Sequence, residues 1–417
     1  MAAAVATRIA PQISLACALL LLSSLAKAED RLQKHRDLRR RSGDSAESDP
    51  RGPLGTRIAS KVAYYTDDDG LTVVTPIISV DQKIFDASSI SLEYDADVLS
   101  AATVDVRTSA TEKFEEVRHG MALAGTHRVL SWQTDLSAAL SYSKEYDYES
   151  VTVGAGFAKE LLQKNVTVGA GYSYVSNRVG RSHTPFGNFE EHLDIHAVNA
   201  SFTQLLSKSA YLQLSGSVIL ARGYQASVYR YVPLFSEGSL DPSQLSETTL
   251  LDGTVRPLLR APERLPRSRT RGAGVVRLNQ QFPWRMVLAA DYRLYADSWS
   301  LSSHTISVNL YQPIGSNVVL RLRNRFYLQT KADFYEREYY VSNTNAAPEF
   351  YTLDRELSAF WYDLVGLKAS FRLPFRGIFE RVEFDVKADL QFTAYSDFAY
   401  LSERTAVIFG GGLTVEL

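Results

Sequence analysis

The chain has one cysteine in 417 residues, Cys17, inside a segment that reads as a cleavable export signal. A mature protein without thiols forms no disulfide and no cysteine-bound metal site. Long apolar runs are also missing after that segment, which leaves no helix able to span a bilayer, since such a helix needs about 20 apolar residues. Charge of one sign is not in excess, with 45 Lys+Arg against 47 Asp+Glu. A general nucleic-acid binder concentrates positive charge, so no nucleic-acid partner is expected. Catalytic signatures are equally scarce. There is no Gly-x-Ser-x-Gly elbow, no His-Glu-x-x-His and no phosphate-cradling glycine loop, and the expectation is no enzyme and no cofactor.

What is present begins with the signal. Residues 1–28 carry Arg8 in a positive first region, an apolar stretch from Ile13 to Leu25, and the small-x-small site Ala26-Lys27-Ala28. Residues 29–56 follow as a charged leader around Arg39-Arg40-Arg41, expected to be flexible and periplasmic. An exported chain without a spanning helix is either soluble in the periplasm or a barrel in the outer membrane.

The pattern over 57–417 favours the barrel. Val382, Phe384, Val386, Ala388, Leu390, Phe392 and Ala394 alternate with Glu383, Asp385, Lys387, Asp389, Gln391, Thr393 and Tyr395. Such period-two runs are longer than the five or six residues of a common strand and suit tilted membrane strands with protruding ends. About 16 are expected: 57–66, 71–84, 88–99, 114–130, 132–145, 148–161, 165–177, 190–206, 208–224, 268–282, 285–297, 301–312, 316–333, 356–373, 380–396 and 403–417. The first is weak, and an even-numbered alternative is 14. With periplasmic termini, every short turn falls on the periplasmic side and the long loops 177–190, 225–267 and 334–356 fall outside, as bacterial barrels require. The 23 tyrosines suit an interfacial aromatic belt, to which Trp132, Trp284 and Trp299 are assigned.

Several motifs resemble a family of outer-membrane proteins known as domain of unknown function 3570. They include Asp97-Val98-Leu99-Ser100, Phe114-Glu115-Glu116-Val117-Arg118-His119-Gly120, Tyr292-Arg293-Leu294-Tyr295-Ala296-Asp297-Ser298-Trp299, Ser303-His304-Thr305 and Asp354-Arg355-Glu356-Leu357-Ser358. The resemblance covers roughly residues 60–417. It implies an outer-membrane barrel and supplies no activity and no catalytic residue.

Three groups of side chains are candidates for function. Arg321, Arg323 and Arg325 share one face of a strand, and charge facing lipid costs about 2–4 kcal/mol per Arg at midplane. They should therefore face the lumen, with Arg293 and Asp291 on a preceding strand and Asp385 and Asp389 as partners. That network either braces the wall or forms an anion-preferring constriction. His192, Asp194 and His196 share a strand face and could meet a metal, although ordinary polar filling is the commoner explanation of such spacing. Asp67-Asp68-Asp69-Gly70, with Glu145, Asp147 and Asp297, reads either as turn chemistry or as a loose divalent-cation rim. Ser303 and His304 are adjacent on a strand, so they point to opposite faces and make a poor catalytic dyad.

The leading expectation is an all-β, antiparallel outer-membrane barrel acting as a conduit or transport-associated pore. The alternative is a plugged platform that binds a protein partner through loops 225–267 and 334–356. An outer-membrane hydrolase is the third. The expected associates are outer-membrane lipid and the barrel-insertion machinery.

Overall fold

A computed structural model describes residues 55–85, 87–101, 114–181, 184–342, 347–373 and 379–417. The expected export signal and nearly all of the expected leader lie outside these residues. Strands β1 (Thr56–Asp67), β2 (Leu71–Phe85), β3 (Ser88–Ala101), β4 (Phe114–Val129), β5 (Thr134–Lys144), β6 (Tyr148–Leu161), β7 (Val166–Val179), β8 (Glu191–Leu205) and β9 (Ala210–Gly223) follow one another as antiparallel neighbours. The wall continues through β12 (Ser268–Gln281), β13 (Val287–Asp297), β14 (Ser302–Ile314), β15 (Val318–Gln329), β17 (Phe360–Leu373), β18 (Arg381–Tyr395) and β19 (Glu403–Glu416). Pairing of β19 with β1, from Arg57 opposite Glu416 to Asp67 opposite Ala406, closes a 16-strand barrel. Closure removes every free edge, which a wall in hydrocarbon requires because unpaired backbone groups find no water there. The strand that looked weakest in the sequence is the one that makes the seam.

Both chain ends of the barrel lie with the short turns. At Leu130–Trp132 and Leu162–Lys164 these turns are single 3-10 turns, with Gln133, Leu162, Gln163 and Lys164 at positive φ. The long connections gather at the other end. Short turns face the periplasm and long loops face outward in barrels of this class, so the termini are periplasmic. The chain is an integral outer-membrane β-barrel.

The pairing register gives the tilt. Moving two strands round the wall along paired residues, then two residues toward the short-turn end, links Gln82 to His127, Lys159, Gln204, Gln280, Gln312, Phe371 and Val415, and the next step returns to Gln82. The wall therefore slides one residue per strand. With strands ~4.8 Å apart and ~3.3 Å per residue, that slide is a tilt of ~35°. At this tilt the linked residues sit at one height. The same walk eight residues nearer the loops joins His119, Val151, His196, Gly272, His304, Asp363, Val407 and Val74. The two rings are about 22 Å apart along the barrel axis, close to the ~25 Å apolar band of outer-membrane barrels.

Between the rings the outward residues are mostly apolar and exposed, such as Met121 and Leu123 on β4, Val198 and Phe202 on β8, and Ile306 on β14. At the lower ring Gln82, Gln204, Gln280 and Gln312 each fold their side-chain amide onto the carbonyl of the next residue, at 2.9, 3.2, 2.7 and 3.0 Å. Trp132 and Trp284 are exposed at the periplasmic turns, as expected of belt residues. Trp299 is not a belt residue. It is buried, its ring under the Arg269 guanidinium at 4.1 Å and edge-on to Phe334 at 5.2 Å.

The larger hydrophobic cluster lies mostly outside the barrel wall, and a smaller one of Val175, Leu193, Ile195 and Ala221 lies on β7–β9. Segments expected to be loops fold into a second sheet at the outer mouth, in which β10 (Tyr231–Ser236) pairs antiparallel with β11 (Leu259–Pro262) and parallel with β16 (Tyr339–Val341). A short helix α1 (Glu247–Leu251), started by a Ser246–Thr249 capping box, packs Leu250 beneath this sheet. Val232, Leu234, Phe235, Tyr335, Val341, Leu353 and Leu357 form the centre of this cap. Its base rests on Tyr295, Tyr327 and Tyr362, inward residues near the outer end of the wall.

Candidate functional site

Strand parity divides every wall strand into an outward and an inward face. The two halves of the inward face differ. From β5 to β9 it is small and uncharged at mid-height: Ser137, Ala139 and Ser141, then Thr152, Gly154 and Gly156, then Gly169, Gly171 and Ser173, then Ala197, Asn199 and Ser201, then Ser215 and Ser217. From β13 to β18 it is long and charged, with Arg293, Arg321, Arg323, Arg325, Lys368 and Lys387 against Asp291, Asp385 and Asp389. Small side chains line one side of the lumen and cations line the other.

The expected charge network is on this wall, but its pairing is different. Arg323 lies 3.7 Å from Asp389, the one expected pair that forms. Asp385 binds Lys368 at 2.6 Å, and Asp291 faces Arg277 at 3.6 Å. Arg325 donates from Nε to Ser307 at 3.1 Å, and Arg293 stacks over Tyr295 at 5.5 Å. Arg321 forms no ion pair among the described residues, and its Nε has no hydrogen-bond partner there. It lines a recess of about 380 Å³ near the periplasmic end with Tyr311, Asn317, Val319, Lys368, Arg372, Arg381 and Glu383. Lys368, Arg372, Lys387 and Arg277 were missed in the sequence, although inward parity on their strands marks each of them.

Two glycines make this wall possible. A Cβ on Gly366 would collide with the Asp389 carboxylate, and one on Gly410 would come 2.6 Å from the Lys387 stem. A second inward cluster sits on β3 and β4, where Arg118 bridges Asp95 and Asp97, with Nε 2.9 Å from Asp97. A third, Arg128 with Asp135 at 3.0 Å and with Glu160, braces the periplasmic end.

The other candidates resolve differently. His192, Asp194 and His196 face outward, toward lipid and headgroups, rather than into the lumen. Each has its own partner: Glu190 at 3.3 Å for His192, Tyr174 at 2.7 Å for Asp194, and Tyr172 at 2.7 Å for His196. No group of three or more potential ligands among the described residues could hold a metal ion. The acidic rim is engaged in fastening the cap and turns. Asp67 accepts from Leu71 N at 2.8 Å, Asp68 from Thr405 N at 3.0 Å, and Asp69 pairs with Arg355. Asp297 holds Arg269 through Nε at 2.8 Å, and Asp147 accepts from Tyr229. Ser303 is buried on the inward face while His304 is exposed on the outward face.

Polar groups buried within the cap are tied together. Arg230 lies 2.7 Å from Glu263 and 3.2 Å from Asp354, all three being buried. Ser227 N and the Thr352 hydroxyl also donate to Glu263. Burial pushes the Glu263 carboxyl above the usual range, and Arg230 opposes that shift. Burial likewise pushes the Tyr339 hydroxyl up to about 12, so it stays protonated while it accepts from Glu336 N and Thr352 N at 3.1 and 3.0 Å.

A family model described as a protein of unknown function (DUF3570) matches residues 15–390. The chain belongs to this family. Among curated proteins none matches it. Solved structures similar to this DUF3570 chain include a bacterial polysaccharide outer membrane secretin, at 8% identity and TM-score 0.47, covering 87% of this chain and 98% of that one. CdiB from Acinetobacter baumannii matches at 9% identity and TM-score 0.47, with 87% of this chain covering 60% of that protein. OmpT, an outer membrane protein of Vibrio cholerae, matches at 9% identity and TM-score 0.37, covering 89% and 99%. The outer-membrane assignment rests on the closed wall and its two rings, not on these likenesses.

Proposed function

We propose that the barrel is a gated, non-enzymatic conduit for small anionic solutes, with the folded cap as its gate. The observation that carries this reading is the division of the lumen into a small-residue wall and a cationic wall. Sixteen strands enclose a water-filled bore unless side chains or loops fill it. Between β5 and β9 the side chains are too small to do so. Across that space, Arg321, Arg325, Arg293 and Lys387 outnumber the carboxylates near them and create a field that favours anions. The recess beside Arg321 continues this field toward the periplasm.

The cap supports gating rather than a permanently open pore. A plugged platform for a protein partner is the second reading, favoured by the buried Arg230–Glu263–Asp354 cluster, which gives the outer loops one fixed shape. Planar-bilayer conductance separates the two. The intact protein should show rare or small openings, and deletion of residues 236–258 should give steady, anion-preferring conductance. The Arg321→Gln/Arg323→Gln/Arg325→Gln variant of that deletion should shift toward cations. A folded deletion variant that stays silent overturns the conduit and leaves the platform.

A further inference from the structure

The outward face carries a repeated device at the upper ring. His119, His196 and His304 accept or share a hydrogen bond at Nδ1 with the hydroxyls of Tyr94, Tyr172 and Tyr292, at 2.8, 2.7 and 2.7 Å. Each tyrosine stands on the preceding strand, paired with the residue two positions deeper than its histidine: Met121, Val198 and Ile306. The rings stack alike, with centroids 6.2, 6.1 and 6.0 Å apart and planes at 25°, 29° and 28°. The three pairs occupy the hairpins β3–β4, β7–β8 and β13–β14, with two wall strands between successive pairs.

Register places them at one height. The pairing ladder from His119 reaches β8 at His192, four residues outside His196. Four strands at ~35° raise the ladder by about 11 Å, and four residues along the strand lower it by about the same amount. From His196 the ladder passes Leu220, Thr270 and Ser298, and His304 is displaced from it in the same sense. The fourth diagonal of this kind is polar as well, Asn324 Nδ2 donating to Asp363 at 2.8 Å.

A phenol O–H donated to Nδ1 leaves the imidazole N–H at Nε2 free to donate outward. Each clasp thus holds an N–H donor at the upper edge of the apolar band, with its ring supported from below by the tyrosine. Only the headgroup layer meets that height. Lys144 stands opposite His119, and Arg222 stands opposite Asp194, whose carboxylate is held by Tyr174. Leu294 and Leu328 flank His304. N–H donors at a depth where lipid phosphates sit, one of them beside Lys144, which is itself paired with Glu149 at 2.9 Å, complement phosphate oxygens.

We propose that the three tyrosine–histidine clasps form a collar that binds phosphate-bearing lipid headgroups of the outer leaflet. The collar faces away from the lumen, so it stands whether or not the barrel conducts. The test is native mass spectrometry of the detergent-purified full chain with bisphosphorylated lipid A, with its dephosphorylated form, and with phosphatidylglycerol. The wild type should retain bisphosphorylated lipid A several-fold more than the dephosphorylated form. His119→Phe/His196→Phe/His304→Phe should bring the two to parity, while the corresponding His→Gln triple, which keeps an N–H donor, should restore part of the preference. Tyr94→Phe/Tyr172→Phe/Tyr292→Phe, which releases the imidazole tautomer, should weaken it as well. Equal histidine-dependent retention of phosphatidylglycerol also supports the collar and assigns it to phosphate in general. Two results overturn it: a wild type indifferent to the phosphates, or a heat-modifiable, folded histidine-to-phenylalanine triple that keeps the preference.

Discussion

Ala200 stands on the outward face of β8, four residues from His196 above and four from Gln204 below. At ~3.3 Å per residue and a tilt of ~35°, that puts it about 11 Å from either ring, at the middle of the hydrocarbon. Arginine on the lipid face costs about 2–4 kcal/mol at midplane and about 0–1 near the interfaces. The series His196→Arg, Ala200→Arg and Gln204→Arg should therefore be small, large and small. A cost of about 3 kcal/mol lowers the folded-to-unfolded ratio roughly 100-fold, well within reach of urea titration in phosphatidylcholine vesicles followed by tryptophan emission and gel mobility. Ser201→Arg, one residue along, enters the lumen beside the small wall and should be tolerated far better than Ala200→Arg. A greater cost at 201 than at 200 would mean that the faces are exchanged, and equal costs would refute the division into lipid and lumen faces. A maximum at 196 or 204 would mean that the two rings do not mark the membrane boundaries.

Two further substitutions probe the charged interior. Arg230→Met leaves Glu263 and Asp354 buried without their cation and should loosen the cap by about 3–5 kcal/mol, seen as faster amide exchange over residues 231–262 with the wall strands unchanged; protection equal to wild type would refute the bracing role. Gly366→Ala forces Asp389 away from its position facing Arg323 and should cost about 1–3 kcal/mol as overpacking, measured by the same urea titration; a neutral result would show that Asp389 has room to move.

The strands were legible because the alternation of apolar and polar residues is the wall itself. All sixteen expected strands exist, and Phe384, Val386, Ala388 and Leu390 are exposed on the outward face as the pattern required. The cap was not legible, because Tyr231–Ser236 is buried on both faces and Tyr339–Val341 is only three residues long, so neither carries a usable period-two signal. Their partners lie far away in the chain, so each reads locally as loop. Arg321, Arg323 and Arg325 could be faced inward from the cost of lipid exposure alone. Their partners could not be assigned, since the choice of Lys368 for Asp385 depends on which residues the slide between strands sets side by side. His192, Asp194 and His196 show the limit of parity: it says that three residues share a face, and near the end of a membrane strand either face tolerates polar atoms.

The parallel pairing of Leu234–Ser236 with Tyr339–Val341 joins residues about a hundred apart in the chain. Between those segments lie β12, β13, β14 and β15, so the outer sheet closes over four strands of the wall. The cap is further fastened by Arg355 to Asp69, beside the first hairpin, and Asp68 is held by Thr405 in the last strand. Contacts across such chain lengths form late, after nearer pairings have reduced the entropy lost in closing them. The cap is thus a part of the fold whose contacts span long stretches of chain, and it is expected to order late and open first.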